Sequence, residues 1–147
     1  MEKHTYKVIK DVAQLDTSAF VFNWRTISNH PQRITIGAYV ANDLAGLITF
    51  ERRGDGFDLN YVHNLETAPS YQGHGTAGKL LALVMIDSFN NGFDGYVQLV
   101  TKLNGVETLY DHLGAKPISR QQLYFDTKTS QRVINKYLPN GGKINGL

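Results

Sequence analysis

Three strand-like segments joined by very short turns constrain the fold of this chain more than any other feature. Apolar residues alternate with other residues in segment 34–40, and segments 44–51 and 57–67 follow closely. Residues that favour tight turns stand between the segments: Asn42, Asp43, Gly54, Asp55 and Gly56. Because parallel neighbours require a long crossover, connections of this length predict an antiparallel three-stranded meander.

The sequence changes character after the meander. A glycine-rich segment at 72–78 precedes segment 79–89, which is apolar nearly all round and so predicts a helix buried on more than one side. The apolar run 96–101 predicts a central strand. The remaining pattern predicts a helix at 106–112, a strand at 123–125, a helix at 127–138 and a loose tail at 140–147.

The amino-terminal part of the chain completes the pattern. A first strand at 6–9 precedes a helical pattern, in one or two pieces, across 12–28. The order of elements predicts an α+β fold, in which helices flank a mixed, mostly antiparallel central sheet. A length of 147 residues suits a single domain.

Composition excludes several classes of site and partner. A chain without cysteine forms no disulfide and offers no thiolate nucleophile or thiolate metal ligand. The formal net charge of +2, with scattered basic residues, argues against a nucleic-acid partner. The longest apolar run, 80–86, is far shorter than the ~20 residues of a membrane helix, and residues 1–5 lack an apolar leader. We therefore expect a cytoplasmic protein that contacts neither nucleic acid nor membrane.

The glycine-rich segment 73–79 carries the strongest chemical signal. Small residues let the backbone approach an anion closely, and N–H groups at the start of the next helix would point at it. This predicts phosphate or pyrophosphate binding, although a plain strand-to-helix turn has a similar composition. Leu80 stands where a nucleotide P-loop needs Ser or Thr to hold magnesium, so a nucleotide-binding domain is the weaker alternative.

Two motifs resemble the GNAT superfamily of N-acetyltransferases. Gln72-x-x-Gly75-x-Ala77 resembles the [Gln/Arg]-x-x-Gly-x-[Gly/Ala] pattern of that family, and Tyr110 begins a segment similar to its Tyr-x-x-x-Gly-Phe motif, with Ala115 replacing the aromatic residue. The resemblance covers residues 33–126 clearly. It implies a GNAT domain at 1–126, with a terminal helix and flexible tail at 127–147 that belong to the same domain.

The resemblance implies a cofactor site for acetyl-CoA, used as co-substrate without a metal. Backbone groups of one loop would bind its pyrophosphate: Gln72, Gly73, His74, Gly75, Thr76 and Ala77. The main chain of Leu65, Glu66 and Thr67 would bind the pantetheine arm, with a strand bulge that turns one N–H toward the thioester oxygen. Asn104 would contact the pantetheine or, alternatively, cap the next helix.

Two side chains are the catalytic candidates. Tyr110 would protonate the departing CoA thiolate, although an aromatic on this helix also suits plain packing. His63 would deprotonate the attacking amine, or it is a partly buried histidine bonded to the sheet. By strict alternation His63 shares a strand face with Tyr61 and Leu65, whereas Glu66 lies on the opposite face and is a poor base.

The resemblance therefore implies an N-acetyltransferase. It would transfer the acetyl group of acetyl-CoA to a primary amine of a small molecule or peptide, by direct attack in a ternary complex. A non-catalytic acyl-CoA-binding or regulatory module on the same fold is the alternative. Either a monomer or a homodimer fits the sequence.

Overall fold

An eight-stranded sheet forms the centre of the computed structural model, which describes residues 3–101 and 107–147. The strands, in chain order, are β1 (His4–Val8), β2 (Ile34–Val40), β3 (Asp43–Arg53), β4 (Leu59–Thr67), β5 (Val97–Val100), β6 (Lys116–Pro117), β7 (Gln122–Phe125) and β8 (Ile144–Asn145). The helices are α1 (Trp24–Ile27), α2 (Thr76–Asn90), α3 (Glu107–His112) and α4 (Thr127–Tyr137).

The sheet is mixed and mostly antiparallel, which confirms the predicted α+β class. Its strand order is β6-β7-β5-β4-β3-β2-β1-β8. Strands β2, β3 and β4 form the predicted antiparallel meander. The parallel pairs are β4 with β5, which α2 connects, and β1 with β8.

The two faces of the sheet pack against different elements. On one face Ile36, Ile48 and Val62 join the apolar side chains of α2 and α4 in the main core. Several residues around α2 are at most 1% exposed, as expected for a helix covered on more than one side: Leu80, Leu81, Leu83, Val84 and Met85. On the other face a smaller cluster forms around Leu47 and Trp24.

The expected helical region at 12–28 is mostly irregular. It contains a 3₁₀ turn at Val12–Gln14 and only four residues of α1. Three side chains bond to backbone N–H groups two or three residues further on: Asp11, Asp16 and Asn23. Such local bonds offer the backbone an alternative to a continuous helix, so the apolar spacing did not produce one.

Two residues of the segment predicted to be a loose tail form the short strand β8. Ile144 and Asn145 pair in parallel with Tyr6 and Lys7 of β1. Ile144 also packs against the main core. The sequence signal for this two-residue strand is weak because its partner lies at the opposite end of the chain.

A β-bulge interrupts β4 next to the predicted site. Thr49 of β3 is opposite Asn64, but the next residue, Phe50, is opposite Val62. His63 is therefore the extra residue on β4. An extra residue breaks strict alternation and changes which side chains share a face beyond it.

Because of the bulge, the predicted assignment of β4 side chains to the two faces of the sheet is wrong. Tyr61 and Glu66 pair with Glu51 and Leu47 of β3, which lie four residues apart and so share a face. Glu66 consequently lies on the face of Tyr61. Leu65 faces the main core instead.

Candidate functional site

A cleft lies at the end of β4 that does not pair with β5. The two strands pair only across Asn60, Tyr61 and Val62, and β4 then continues to Thr67 without β5 beside it. A cavity of about 430 Å³ lies at this end of β4. Its lining comes from β4, the glycine-rich loop, α2, α3 and α4: Thr67, Tyr71, Gln72, Gly73, Gly75, Thr76, Ala77, Gly78, Leu109 and Tyr137.

The cleft brings together six of the predicted binding residues: Thr67, Gln72, Gly73, Gly75, Thr76 and Ala77. The other predictions lie elsewhere. The ring of His74 packs edge-on against Tyr71, and Leu65 is 3% exposed in the main core. Asn104 lies outside the described residues.

The loop ends at the amino terminus of α2. This helix starts at Thr76, three residues before the predicted start, and Gly75 caps it with a φ of 80°. Gly73 has a φ of 84°, also in the region that favours glycine. The first N–H groups of a helix have no acceptor within the helix, so this end of α2 can bind an anion beside the cavity.

Tyr137 is a cleft residue that the sequence reasoning missed. Its ring lies so close to Gly78 that a Cβ there would come within 2.3 Å of it. Because Gly78 has no side chain, the ring of Tyr137 can pack against the start of α2. Tyr137 shared the apolar spacing of Val133 and Ile134, but that spacing alone indicates packing rather than a binding surface.

A histidine–carboxylate pair lies at the bulge. Nε2 of His63 is 2.6 Å from Oε1 of Glu51, and the two side chains are 14% and 19% exposed. Burial lowers the pKa of His63, and the hydrogen bond with Glu51 opposes this shift only in part. Burial raises the pKa of Glu51, but hydrogen bonds from His63 and Arg53 outweigh it and leave that pKa below its ordinary value.

These shifts define the protonation of the pair near neutral pH. Glu51 is ionised and can only accept, so a neutral His63 donates its Nε2–H to Glu51. Nδ1 of His63 then carries the free lone pair. The imidazole is thus held as a base whose proton-accepting atom is Nδ1.

Aromatic and amide side chains surround this pair. The ring of Tyr61 lies 4.8 Å from the ring of His63, and the guanidinium of Arg53 lies 4.0 Å from the centre of the Tyr61 ring. The side chains of Gln122 and Gln98 continue the network from the Tyr61 hydroxyl toward β5. Polar groups therefore line the sheet face next to the point where β4 leaves β5.

Glu66 has a structural role on the same face. Its carboxylate accepts hydrogen bonds from the backbone N–H groups of Val21 and Phe22, at 2.6 and 3.1 Å, and from Nε1 of Trp24 at 2.8 Å. The residue is 3% exposed. The carboxylate of Glu66 is therefore committed to the segment before α1.

Tyr110 lies in the main core. It is 3% exposed, whereas the preceding residue on α3, Leu109, lines the cavity. The side chain of Tyr110 is therefore next to the cleft wall but does not form it. Its catalytic role stays a prediction.

Residues 3–115 match the acetyltransferase (GNAT) family. The chain belongs to this family. The match stops before β7 and α4, so Tyr137 lies outside it. No curated protein matches the sequence significantly.

Solved structures share this GNAT fold at low identity. One is AtaTR bound with AcCoA, which has 17% identity and a TM-score of 0.68 over 91% of this chain and 99% of that one. Another is an IAA acetyltransferase from Bacillus cereus ATCC 14579, with 16% identity and a TM-score of 0.62 over 80% and 79%. A Bacillus subtilis acetyltransferase in complex with CoA has 14% identity and a TM-score of 0.62 over 84% and 99%.

The described residues contain neither a candidate metal site nor a helix suited to crossing a membrane. No group of three or more His, Asp or Glu side chains in residues 3–101 and 107–147 could hold a metal ion. None of the helices described is long and apolar enough to cross a membrane.

Proposed function

We propose that this protein transfers the acetyl group of acetyl-CoA to a primary amine of a small molecule or peptide. The observation that carries the proposal is the cleft at the unpaired end of β4, which the glycine-capped start of α2 lines. Membership of the GNAT family supports acetyl transfer. The fold neighbours bound with AcCoA or CoA support the same co-substrate.

The polar groups along the length of acetyl-CoA would each meet a polar part of the cleft. The main chain of Leu65, Glu66 and Thr67 lies beyond the last residue that pairs with β5, so its edge can bond the amides of the pantetheine arm as an added strand. The loop backbone and the first turn of α2 would bind the pyrophosphate. Its residues are Gln72, Gly73, His74, Gly75, Thr76 and Ala77.

His63 is the proposed base for the acceptor amine. It stands at the bulge, directly after the last residue of β4 that pairs with β5. Its lowered pKa keeps Nδ1 unprotonated near neutral pH. The amine would lose a proton to His63 as its nitrogen bonds to the acetyl carbon, and the carbon–sulfur bond would break in the same ternary complex.

Tyr110 is the proposed proton donor to the departing thiolate. The neighbouring Leu109 lines the cleft, so Tyr110 belongs to the helix that forms this wall. The present burial of Tyr110 also favours a second candidate function, a non-catalytic acyl-CoA-binding module. Such a module would bind acetyl-CoA and transfer nothing.

Calorimetric titration with acetyl-CoA tests the binding half of the proposal. We expect micromolar affinity, about −8 kcal/mol, with ATP plus magnesium as a non-binding control. Gly75→Glu should abolish binding because it places a carboxylate at the helix start where the pyrophosphate would lie. Absence of acetyl-CoA binding by well-folded protein would refute the proposal.

An amine panel scored by CoA release tests the chemical half. Small amines, amino acids, polyamines and short peptides would be compared, with His63→Ala and Tyr110→Phe as variants. Turnover that falls in both variants while acetyl-CoA still binds would support the assigned roles. Binding without turnover on any acceptor would favour the non-catalytic module.

A further inference from the structure

The two ends of the chain enclose a second cavity beside the cleft. It has a volume of about 660 Å³ and lies between β1, the start of α2 and the segment that follows α4. Tyr137 lines both this cavity and the cleft, so the two spaces are neighbours across one side chain. Most of the carboxy-terminal wall lies beyond the part of the chain that matches the family.

Basic side chains from three separate elements line this second cavity. Lys3 and His4 come from the amino-terminal end, Lys79 from α2 and Lys143 from the segment before β8. Among the described residues that line it, none is Asp or Glu. The cavity therefore favours an anionic ligand group.

A hydrogen-bonded chain holds Lys79 in the second cavity. Its Nζ lies 3.1 Å from Nδ1 of His4, and Nε2 of His4 lies 2.8 Å from the hydroxyl of Thr76. An ammonium group can only donate, so Nδ1 of His4 accepts and Nε2–H donates to Thr76. Thr76 is the first residue of α2 and lines the cleft, so this chain links the anion-binding helix start to the second cavity.

We propose that the second cavity binds the 3′-phosphate on the adenosine of CoA. This inference rests on the proposed function and deepens it. With the pantetheine along β4 and the pyrophosphate on the loop, an adenosine that extends past Tyr137 at the start of α2 would reach the second cavity. Tyr137 stands at that boundary, and Lys79 and Lys143 lie beyond it. A phosphate monoester carries about −1.5 to −2 charges at pH 7, which suits this set of cations.

Calorimetry with CoA and 3′-dephospho-CoA tests the inference on the full chain. We expect the unmodified protein to bind CoA about tenfold more tightly, as two or three exposed ion pairs would allow. Lys143→Ala should reduce this preference and leave the affinity for 3′-dephospho-CoA unchanged. Lys10→Ala is the matched control, because Lys10 is exposed and lines neither cavity. Raising the salt concentration should weaken the preference.

The outcomes separate this inference from the proposed function. Equal affinity for the two ligands, or a preference that survives in a Lys79→Ala/Lys143→Ala double variant, overturns the 3′-phosphate assignment alone. Failure to bind either ligand overturns the proposed function itself. Titration with inorganic phosphate is the last arm, since phosphate that binds without competing with CoA would assign the cavity to a separate anion.

Discussion

At the scale of single residues, the pair of His63 and Glu51 decides how the proposed base would titrate. The carboxylate of Glu51 favours the protonated imidazole, whereas the charges of Arg33 and Arg53 disfavour it. Glu51→Gln removes the favourable charge, so the pKa of His63 should fall and the acid limb of the kcat/KM profile should move to lower pH. Arg53→Gln should move the same limb to higher pH. A profile that neither substitution shifts would mean that His63 is not the base.

Gly78 offers a second test at this scale, because its missing side chain makes room for Tyr137. Gly78→Ala should displace the ring, lower the free energy of unfolding by about 1–3 kcal/mol and weaken acetyl-CoA binding. The loss of stability should be smaller in a Tyr137→Ala background, where the ring is absent. Gly54→Ala is the control, since nothing lies within 4 Å of a Cβ at that position. Equal costs in both backgrounds would contradict the close approach of Tyr137.

At the scale of elements, Glu66 joins the irregular segment before α1 to β4. Its two carboxylate oxygens accept three N–H groups, so Glu66→Gln would turn an amide NH₂ toward at least one donor. We expect a loss of about 2 kcal/mol in the free energy of unfolding, measured by urea denaturation. Asp16→Asn, at an exposed carboxylate that accepts from Ser18, should leave the midpoint unchanged. Similar midpoints for the two variants would disprove the anchoring role.

The helices and strands also show which parts of the fold can be predicted from sequence patterns. The meander, α2 and α4 followed from short turns and apolar periodicity, which are local properties. The faces of β4 could not be predicted from such local properties. One extra residue at His63 reverses the alternation of side chains, and no residue type marks such a bulge. The predicted start of α2 lies three residues after the observed one, because glycine and threonine in its first turn resemble a loop.

At the scale of the whole molecule, the candidate site combines local and distant features. The loop residues of the cleft, such as Gly73 and Gly75, lie close together in sequence, so a local pattern can single them out. Tyr137 and His4 reach the start of α2 from the two ends of the chain, so only tertiary packing brings them there. Parts of the site that depend on long-range packing therefore had no local signal.

The pairing of β8 with β1 joins the two ends of the chain and should contribute to the stability of the whole molecule. Sequence composition indicated a loose tail, whereas Ile144 packs against the core and pairs with Tyr6 of β1. Ile144→Asp should therefore lower the free energy of unfolding by about 1–3 kcal/mol, measured by urea denaturation. Leu147→Asp makes the same change at a side chain that is 56% exposed, and its midpoint should match that of the unmodified protein. If both variants unfold at the unmodified midpoint, the tail is loose, and the second cavity loses the wall that carries Lys143.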